Sequence, residues 1–318
     1  MSNAIDTALH DALCRLVEVH GGEDLTAALA DFGWPDALAG DAQTSTTALF
    51  VAMGRTGAWC SALHDVMSAP ELTGGSDTIV ALPVPNRRDV DHHRTDHLHG
   101  LVVGRALPAD VHFTITRADG PSVVVVPADA LTSRPIGGLD QRLELVHVSA
   151  ARSAARPVLH GDDARAAWAV SVDAGRRALA HHLIGASQRM LTLAIEHALA
   201  RQQFGSVIGS FQAVRHRLAD AHVAVEAASA AAAAAWEAED PSLAAMLAKS
   251  LAGRAATITG RHCQQVLAGI GFTAEHPFHH FFLRSVVVDR ILGSAAELPE
   301  AIGRHLIRGG RVPRLVEL

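Results

Sequence analysis

Arg201-Gln202-Gln203-Phe204-Gly205, followed six residues on by Phe211-Gln212, decides the reading of this chain. The local pattern predicts a helix that ends on an arginine and two amides, a glycine that breaks it, and a second helix starting at an aromatic. Arg201 carries a permanent charge on a planar donor fork that matches phosphate oxygens. Gln202, Gln203, Gln212 and, further on, Gln265 can donate to ribose and phosphate or accept from a base edge. Gln265 opens a second segment, Gln265-Val266-Leu267-Ala268-Gly269-Ile270-Gly271-Phe272. Its Ala268-Gly269-Ile270-Gly271 run has little bulk at three of four positions, so backbone N–H groups there can approach a ligand closely. Arg201 alone reads equally well as a cation at a helix C-terminus, where positive charge is favoured anyway. The two segments together favour a phosphate-rich ligand.

The sequence around them is helical by apolar spacing from Asp163 onward. Leu179, Leu183, Ala186, Met190 and Leu193 form one stripe; Phe211, Val214, Leu218 and Val225 a second; Leu243, Leu247, Leu251, Ala255 and Ile258 a third. Pro241 sits where a helix start tolerates proline. The run Ala230–Ala235 is helix rather than linker, because alanine is the best helix former. Long helices with short connections make an antiparallel bundle. Residues 76–160 switch to β patterning: Val111, Phe113 and Ile115 alternate with polar residues, and residues 122–126 form a β-rich run between prolines. Several short strands predict a small antiparallel barrel or sandwich. Residues 1–75 are helical again, with one helix expected over 46–67 and a turn at Thr73-Gly74-Gly75-Ser76-Asp77. The expected class is α+β in three domains: 1–75, 76–160 and 161–318.

A chain of 318 residues, 49% hydrophobic and 19% charged, is a folded protein and not a disordered one. Its net charge of −6 gives no nucleic-acid footprint. Cys14, Cys60 and Cys263 lie far apart, which suits a reducing compartment and neither disulfides nor a zinc knuckle. No apolar run reaches membrane-spanning length and the N-terminus carries no secretory pattern, so a cytoplasmic location and no membrane partner are expected.

The pair of segments, in this order and separation, resembles the acyl-CoA dehydrogenase family. The resemblance implies that family's fold: an N-terminal helical domain, a small β domain and a C-terminal helical bundle. It implies FAD as cofactor, with Arg201, Gln202, Gln203, Phe211, Gln212, Gln265, Ala268 and Gly269 contacting it. It also implies an oligomer that shares the flavin between subunits, an acyl-CoA substrate, and electron-transfer flavoprotein or a similar acceptor. Two family features are missing. The family's Thr-Glu-Pro-Gly-x-Gly-Ser-Asp-like segment survives only as Leu72-Thr73-Gly74-Gly75-Ser76-Asp77, or is replaced by Ala81-Leu82-Pro83-Val84-Pro85. The two positions that carry the family's catalytic glutamate are Gly175 and Gly293, with Asp173, Asp289 and Glu297 nearby. Asp289, one turn from Gly293, is the remaining candidate base, against a simpler reading as a helix-end charge. A shortened chain without a base resembles the degenerate subunit of actinobacterial α2β2 steroid-catabolic enzymes. That implies a longer acyl-CoA dehydrogenase chain as partner and a bulky, steroid-derived acyl-CoA. A non-catalytic scaffold that has lost flavin is the alternative.

Histidines are dense in Asp89–His99, where a metal site and a solvated loop compete; the polar surroundings favour the loop. His181-His182 and His279-His280 fall on helices or helix ends, where packing is the simpler role.

Overall fold

The computed structural model describes residues 2–21, 25–68, 72, 78–84, 96–103, 110–117, 120–273 and 275–310. The expected turn Thr73–Asp77 and most of the histidine-dense stretch, residues 89–95, lie outside them. Helices α1 (Ser2–His20), α2 (Leu25–Phe32), α3 (Trp34–Gly40), α4 (Ala42–Thr56) and α5 (Ala62–Met67) come first. Strands β1 (Thr78–Val80), β2 (His97–Val103), β3 (Asp110–Arg117), β4 (Gly120–Pro127), β5 (Thr132–Pro135), β6 (Leu145–Ala151) and β7 (Arg156–His160) follow. Then come α6 (Gly161–Ala200), a two-stranded hairpin of β8 (Gln202–Gln203) and β9 (Ser206–Val207), and α7 (Gln212–Ala234). The last helices are α8 (Pro241–Leu267), α9 (Phe278–Arg290) and α10 (Leu298–Gly309). The chain divides into two compact units, Met1–Trp59 with Arg176–Leu318, and Cys60–Gly175.

In the first unit, α4 ends where Gly57 takes φ +75° and returns its N–H to Met53 O. The single helix expected over 46–67 is therefore two, because that left-handed cap turns the chain. Helices α4 and α6 meet backbone to backbone. A Cβ on Gly54 would lie 2.2 Å from His182 O, and one on Gly185 2.2 Å from Val51 O. Helix α8 starts on Asp240, whose carboxylate accepts the Leu243 N–H at 2.9 Å, with Pro241 at the first helical position. Its buried face is made mostly of small residues, among them Ala244, Ala245, Ala248, Ala252, Gly253, Ala256 and Gly260. The leucines 247 and 251 and Ile258, expected to form its stripe, are only half-buried. Small side chains let the neighbouring helices approach until larger ones are pushed to the flanks. Met190, Ala194 and Ala198 of α6, Ala221 of α7, Cys263 and Val266 of α8, and Phe278 and Phe281 of α9 form one core cluster.

The second unit holds two sheets. One has the order β1-β3-β4-β7, the other β2-β6-β5. Neighbouring strands run antiparallel except β1 and β3, which pair in parallel with Ile79 opposite Val111. Ile79, Leu98, Val102, Phe113, Val124 and Val148 belong to their common core. His64 of α5 is fully buried against it. Its Nε2 accepts the Val103 N–H at 2.8 Å and its Nδ1 faces Val80 O at 3.1 Å, a pattern that needs the neutral ring protonated on Nδ1. Burial accordingly pulls its pKa down to about 4.

Candidate functional site

Helix α6 ends at Ala200, and residues 201–208 form a tight hairpin rather than a helix end followed by a glycine break. Arg201 donates its N–H to His197 O at 2.8 Å and accepts the Ile208 N–H at 2.8 Å. Gln202 pairs with Val207 and Gln203 with Ser206. The two-residue loop, Phe204 and Gly205, takes φ +53° and +75°. Two consecutive positive φ values define the turn whose twist suits paired strands, so the amides sit on a ribbon. Phenylalanine rarely adopts such a conformation, and Phe204 is 94% exposed, edge-on to Phe211 with ring centroids 6.3 Å apart. Arg201, Gln202, Gln203, Phe211 and Gln212 are all exposed. His197, one turn before Arg201, has its pKa lowered by burial and then by the Arg201 charge, so it is neutral at pH 7.

The second segment closes α8. Ala268 ends that helix at φ 52°, ψ −132°, a region glycine favours and alanine enters only under strain. A cleft of about 580 Å³ opens beside it, lined by Thr257, Gly260, Arg261, Gln264, Gln265, Ala268, Gly269, Phe272 and Phe282. The structure thus brings Gln265, Ala268 and Gly269 together. None of the lining residues comes from the 201–212 hairpin. What joins the two segments is packing: Ala198, Ile208, Val214 and Leu218 share one hydrophobic cluster with Val266 and Leu267. The donor set of the two segments suits a dinucleotide. It offers an arginine for phosphate, amides for ribose and base edges, and small or strained backbone where a diphosphate can approach.

The two glycines matched to the catalytic carboxylate have different settings. Gly175 is buried within α6. Gly293 lies in a loop with Leu292, at φ +99° and +57°. Two cations hold the carbonyls of this loop. Lys249 Nζ donates to Asp289 O at 2.9 Å and to Gly293 O at 3.2 Å, and Arg176 Nε donates to Leu292 O at 3.1 Å. Asp289, the candidate base, is engaged. Its Oδ1 accepts the Ala295 N–H at 3.1 Å and lies 3.8 Å from Lys249 Nζ. Glu297 accepts from the Ser294 N–H at 3.0 Å and its hydroxyl at 2.7 Å, and those bonds lower its pKa. Asp173 is buried in α6. Neither Leu292, Gly293 nor Ser294 carries a carboxylate.

The sequence reading missed Arg261 and the Lys249–Arg176 clamp. Arg261 could have been found from its spacing, one turn before Gln265 on the same helix face. Lys249 could have been found as the single lysine of the sequence, set in an alanine-rich stretch. Among the described residues no group of three or more His, Cys, Asp or Glu is placed to hold a metal ion. Among the described residues no helix is long and apolar enough to cross a membrane.

Comparison with known proteins places this geometry. Residues 165–307 match the family model of the acyl-CoA dehydrogenase C-terminal domain. Acyl-CoA dehydrogenase IpdE2 of Mycobacterium tuberculosis is 41% identical over 120 residues, 38% of this chain and 37% of that protein. IpdE2 of Mycolicibacterium smegmatis is 31% identical over 188 residues, 59% of this chain and 57% of that protein. The chain thus aligns with less than two thirds of the length of these curated relatives. In three dimensions, a variant of the Tcur3481–Tcur3483 steroid ACAD superimposes with a TM-score of 0.83 at 21% identity, covering 98% of this chain and 99% of its own. The ChsE4–ChsE5 complex of Mycobacterium tuberculosis gives a TM-score of 0.76 at 23% identity, covering 97% and 98%. The fold is the acyl-CoA dehydrogenase fold, and residues 165–307 carry the C-terminal domain of the acyl-CoA dehydrogenase family.

Proposed function

We propose that this chain is one subunit of an FAD-dependent acyl-CoA dehydrogenase. It completes a flavin site together with a longer partner chain of the same family, and the partner supplies the catalytic base. The observation that carries the reading is a contrast within one unit. The dinucleotide-type donors, Arg201 to Gln203 with Gln265, Ala268 and Gly269, stand exposed around a common cluster. Every carboxylate near Gly293 is already bonded, and the Gly293 loop itself is held by cations.

FAD, when bound, accepts the hydride in the α,β-dehydrogenation of an acyl thioester. This chain's part is to hold its phosphates and adenosine. Arg201 neutralises a phosphate, and the neutral His197 beside it adds no second charge. Gln202, Gln203, Gln212 and Gln265 orient ribose and base, while the backbone of Ala268 and Gly269 approaches the diphosphate. Phe204 and Phe211 cover the partner-facing side of the hairpin. The α-proton is removed on the partner chain. The likeness to steroid heteromers favours a bulky, ring-bearing acyl group and an α2β2 assembly.

The test is co-expression with the co-purifying chain, followed by flavin analysis. The purified complex should be yellow. Arg201→Ala should keep the fold and weaken FAD by about ten- to a hundredfold, since a charge-assisted contact contributes roughly 1.5–3 kcal/mol. A colourless complex would leave a scaffold that has lost its cofactor. A lone chain holding stoichiometric FAD and full activity would contradict the division of labour.

A further inference from the structure

The cleft at the end of α8 contains one cation that no motif assigns. Arg261 lies in its lining with the amides of Gln264 and Gln265, and it is the only charged residue there. Among the described residues Arg261 has no hydrogen bond and no ion pair. An exposed arginine does not need a partner. This one, however, stands in a shaped place. Gly260, immediately before it, lets Phe282 lie flat on the helix; a Cβ there would come 2.7 Å from the Phe282 ring. Gly271 does the same for Gln264, whose Nε2 would be 2.5 Å from a Cβ at that position. The Gln264 amide in turn reaches toward Ala268 O, at the strained turn. Phe272, 78% exposed, gives the cleft a second aromatic wall. Two glycines, a strained alanine and two aromatic rings thus frame one guanidinium that has no ion-pair partner among the described residues.

We infer that Arg261 is a second phosphate-binding cation for the dinucleotide, acting from the α8 cleft alongside Arg201 of the hairpin. The inference rests on the flavin reading above and deepens it. A diphosphate carries two charges, and a single arginine leaves one of them to backbone dipoles alone. Placed four residues before Gln265, the guanidinium points along the same helix face as that amide, so both can reach one ligand. The planar fork permits two parallel bonds to phosphate oxygens, which a lysine at this position would not supply.

The test uses the complex purified with its partner chain. Flavin is stripped and FAD is titrated back by the quenching of its fluorescence. Arg261→Ala should raise the Kd for FAD by about tenfold or more, and Arg261→Lys should recover part of that loss. The thermal midpoint of the flavin-free complex should not move, because the side chain has no protein partner to lose. An Arg261→Ala complex that binds FAD within about twofold of the wild type overturns the inference while the flavin reading stands. So does a fall in the flavin-free midpoint that accompanies the loss of flavin, because the effect would then be structural. A wild-type complex that binds no FAD at all overturns both.

Discussion

Lys249 should contribute a stability that grows as the pH rises, and comparison with a variant lacking it isolates that contribution. Its side chain is fully buried in α8, and its ammonium donates to two carbonyls and pairs with Asp289 at 3.8 Å. Burial is the larger influence and takes its pKa from 10.5 down to about 8. The folded-state value lies below the unfolded one, so the unfolded chain binds more protons between the two. The Lys249 contribution to stability therefore rises with pH across the window from about 8 to 10.5 and is flat below it. Integrated from pH 8 to pH 10, this is about 2 kcal/mol. Cys60 and Cys263, each pushed up to about 12 by burial, act in the opposite direction once the thiols of the unfolded chain begin to ionise, from about pH 8 upward. The sequence has no tyrosine to add a further titration. The assay is urea unfolding of the wild type and Lys249→Met at pH 8 and pH 10. The cysteines are common to both proteins and cancel in the difference. The wild type should gain about 2 kcal/mol relative to the variant. Parallel profiles would show that Lys249 is not held in the way its contacts imply.

Acid should destabilise the fold through its buried imidazoles. The pKa values of His64 and His181 are lowered to about 4 and that of His182 lies well below 6.5, so stability is complete above 6.5 and falls as pH drops toward 4. Each contributes up to ~1.4 kcal/mol per pH unit, and His64→Gln should flatten the slope measured by denaturant titration. Gly185→Ala should cost at least the ~1–3 kcal/mol typical of overpacking, since its Cβ would meet backbone rather than a movable side chain. An unchanged unfolding midpoint would contradict the close α4–α6 contact. Gly253→Ala places a methyl 2.0 Å from Asp289 Oδ1 and should destabilise the wild type more than it does Asp289→Ala, a double-mutant comparison read by the same assay.

Leu179, Leu183, Ala186, Met190 and Leu193 announced α6 because large buried side chains recur at the helical period, and all five are buried. Helix α8 was legible as a helix but not by face. Its interior is alanine and glycine, which apolar spacing does not separate from a good helix former on the surface. The hairpin at 201–208 was illegible as a hairpin for a different reason. Its turn uses Phe204 at positive φ where the pattern leads one to expect asparagine or aspartate before the glycine. The residue types of the candidate site could be read, since arginine, amides and small residues announce a phosphate ligand at any secondary structure. Their grouping could not. That Gln265, Ala268 and Gly269 share a cleft with Arg261 and Phe282 depends on two glycines that let side chains cross the helix, and no one-dimensional period encodes that. The clamp on the Gly293 loop was equally hidden, because its members stand at 176, 249 and 289–293.

That clamp bears on whether such a chain could ever be turned back into a self-sufficient catalyst. A glutamate installed at 293 would need φ +99°, and its Cβ would come 2.9 Å from Leu298 Cδ2. One installed at 292 would inherit φ +57° and a carbonyl already held by Arg176. Its carboxylate would also enter the neighbourhood of Lys249 and Arg176, where a tight ion pair would keep it from serving as a proton acceptor. On the proposed division of labour, the 293 position is therefore closed to a single codon change: an engineer restoring the acid there would first have to rebuild the contacts of three helices, those that carry Arg176, Lys249 and Asp289.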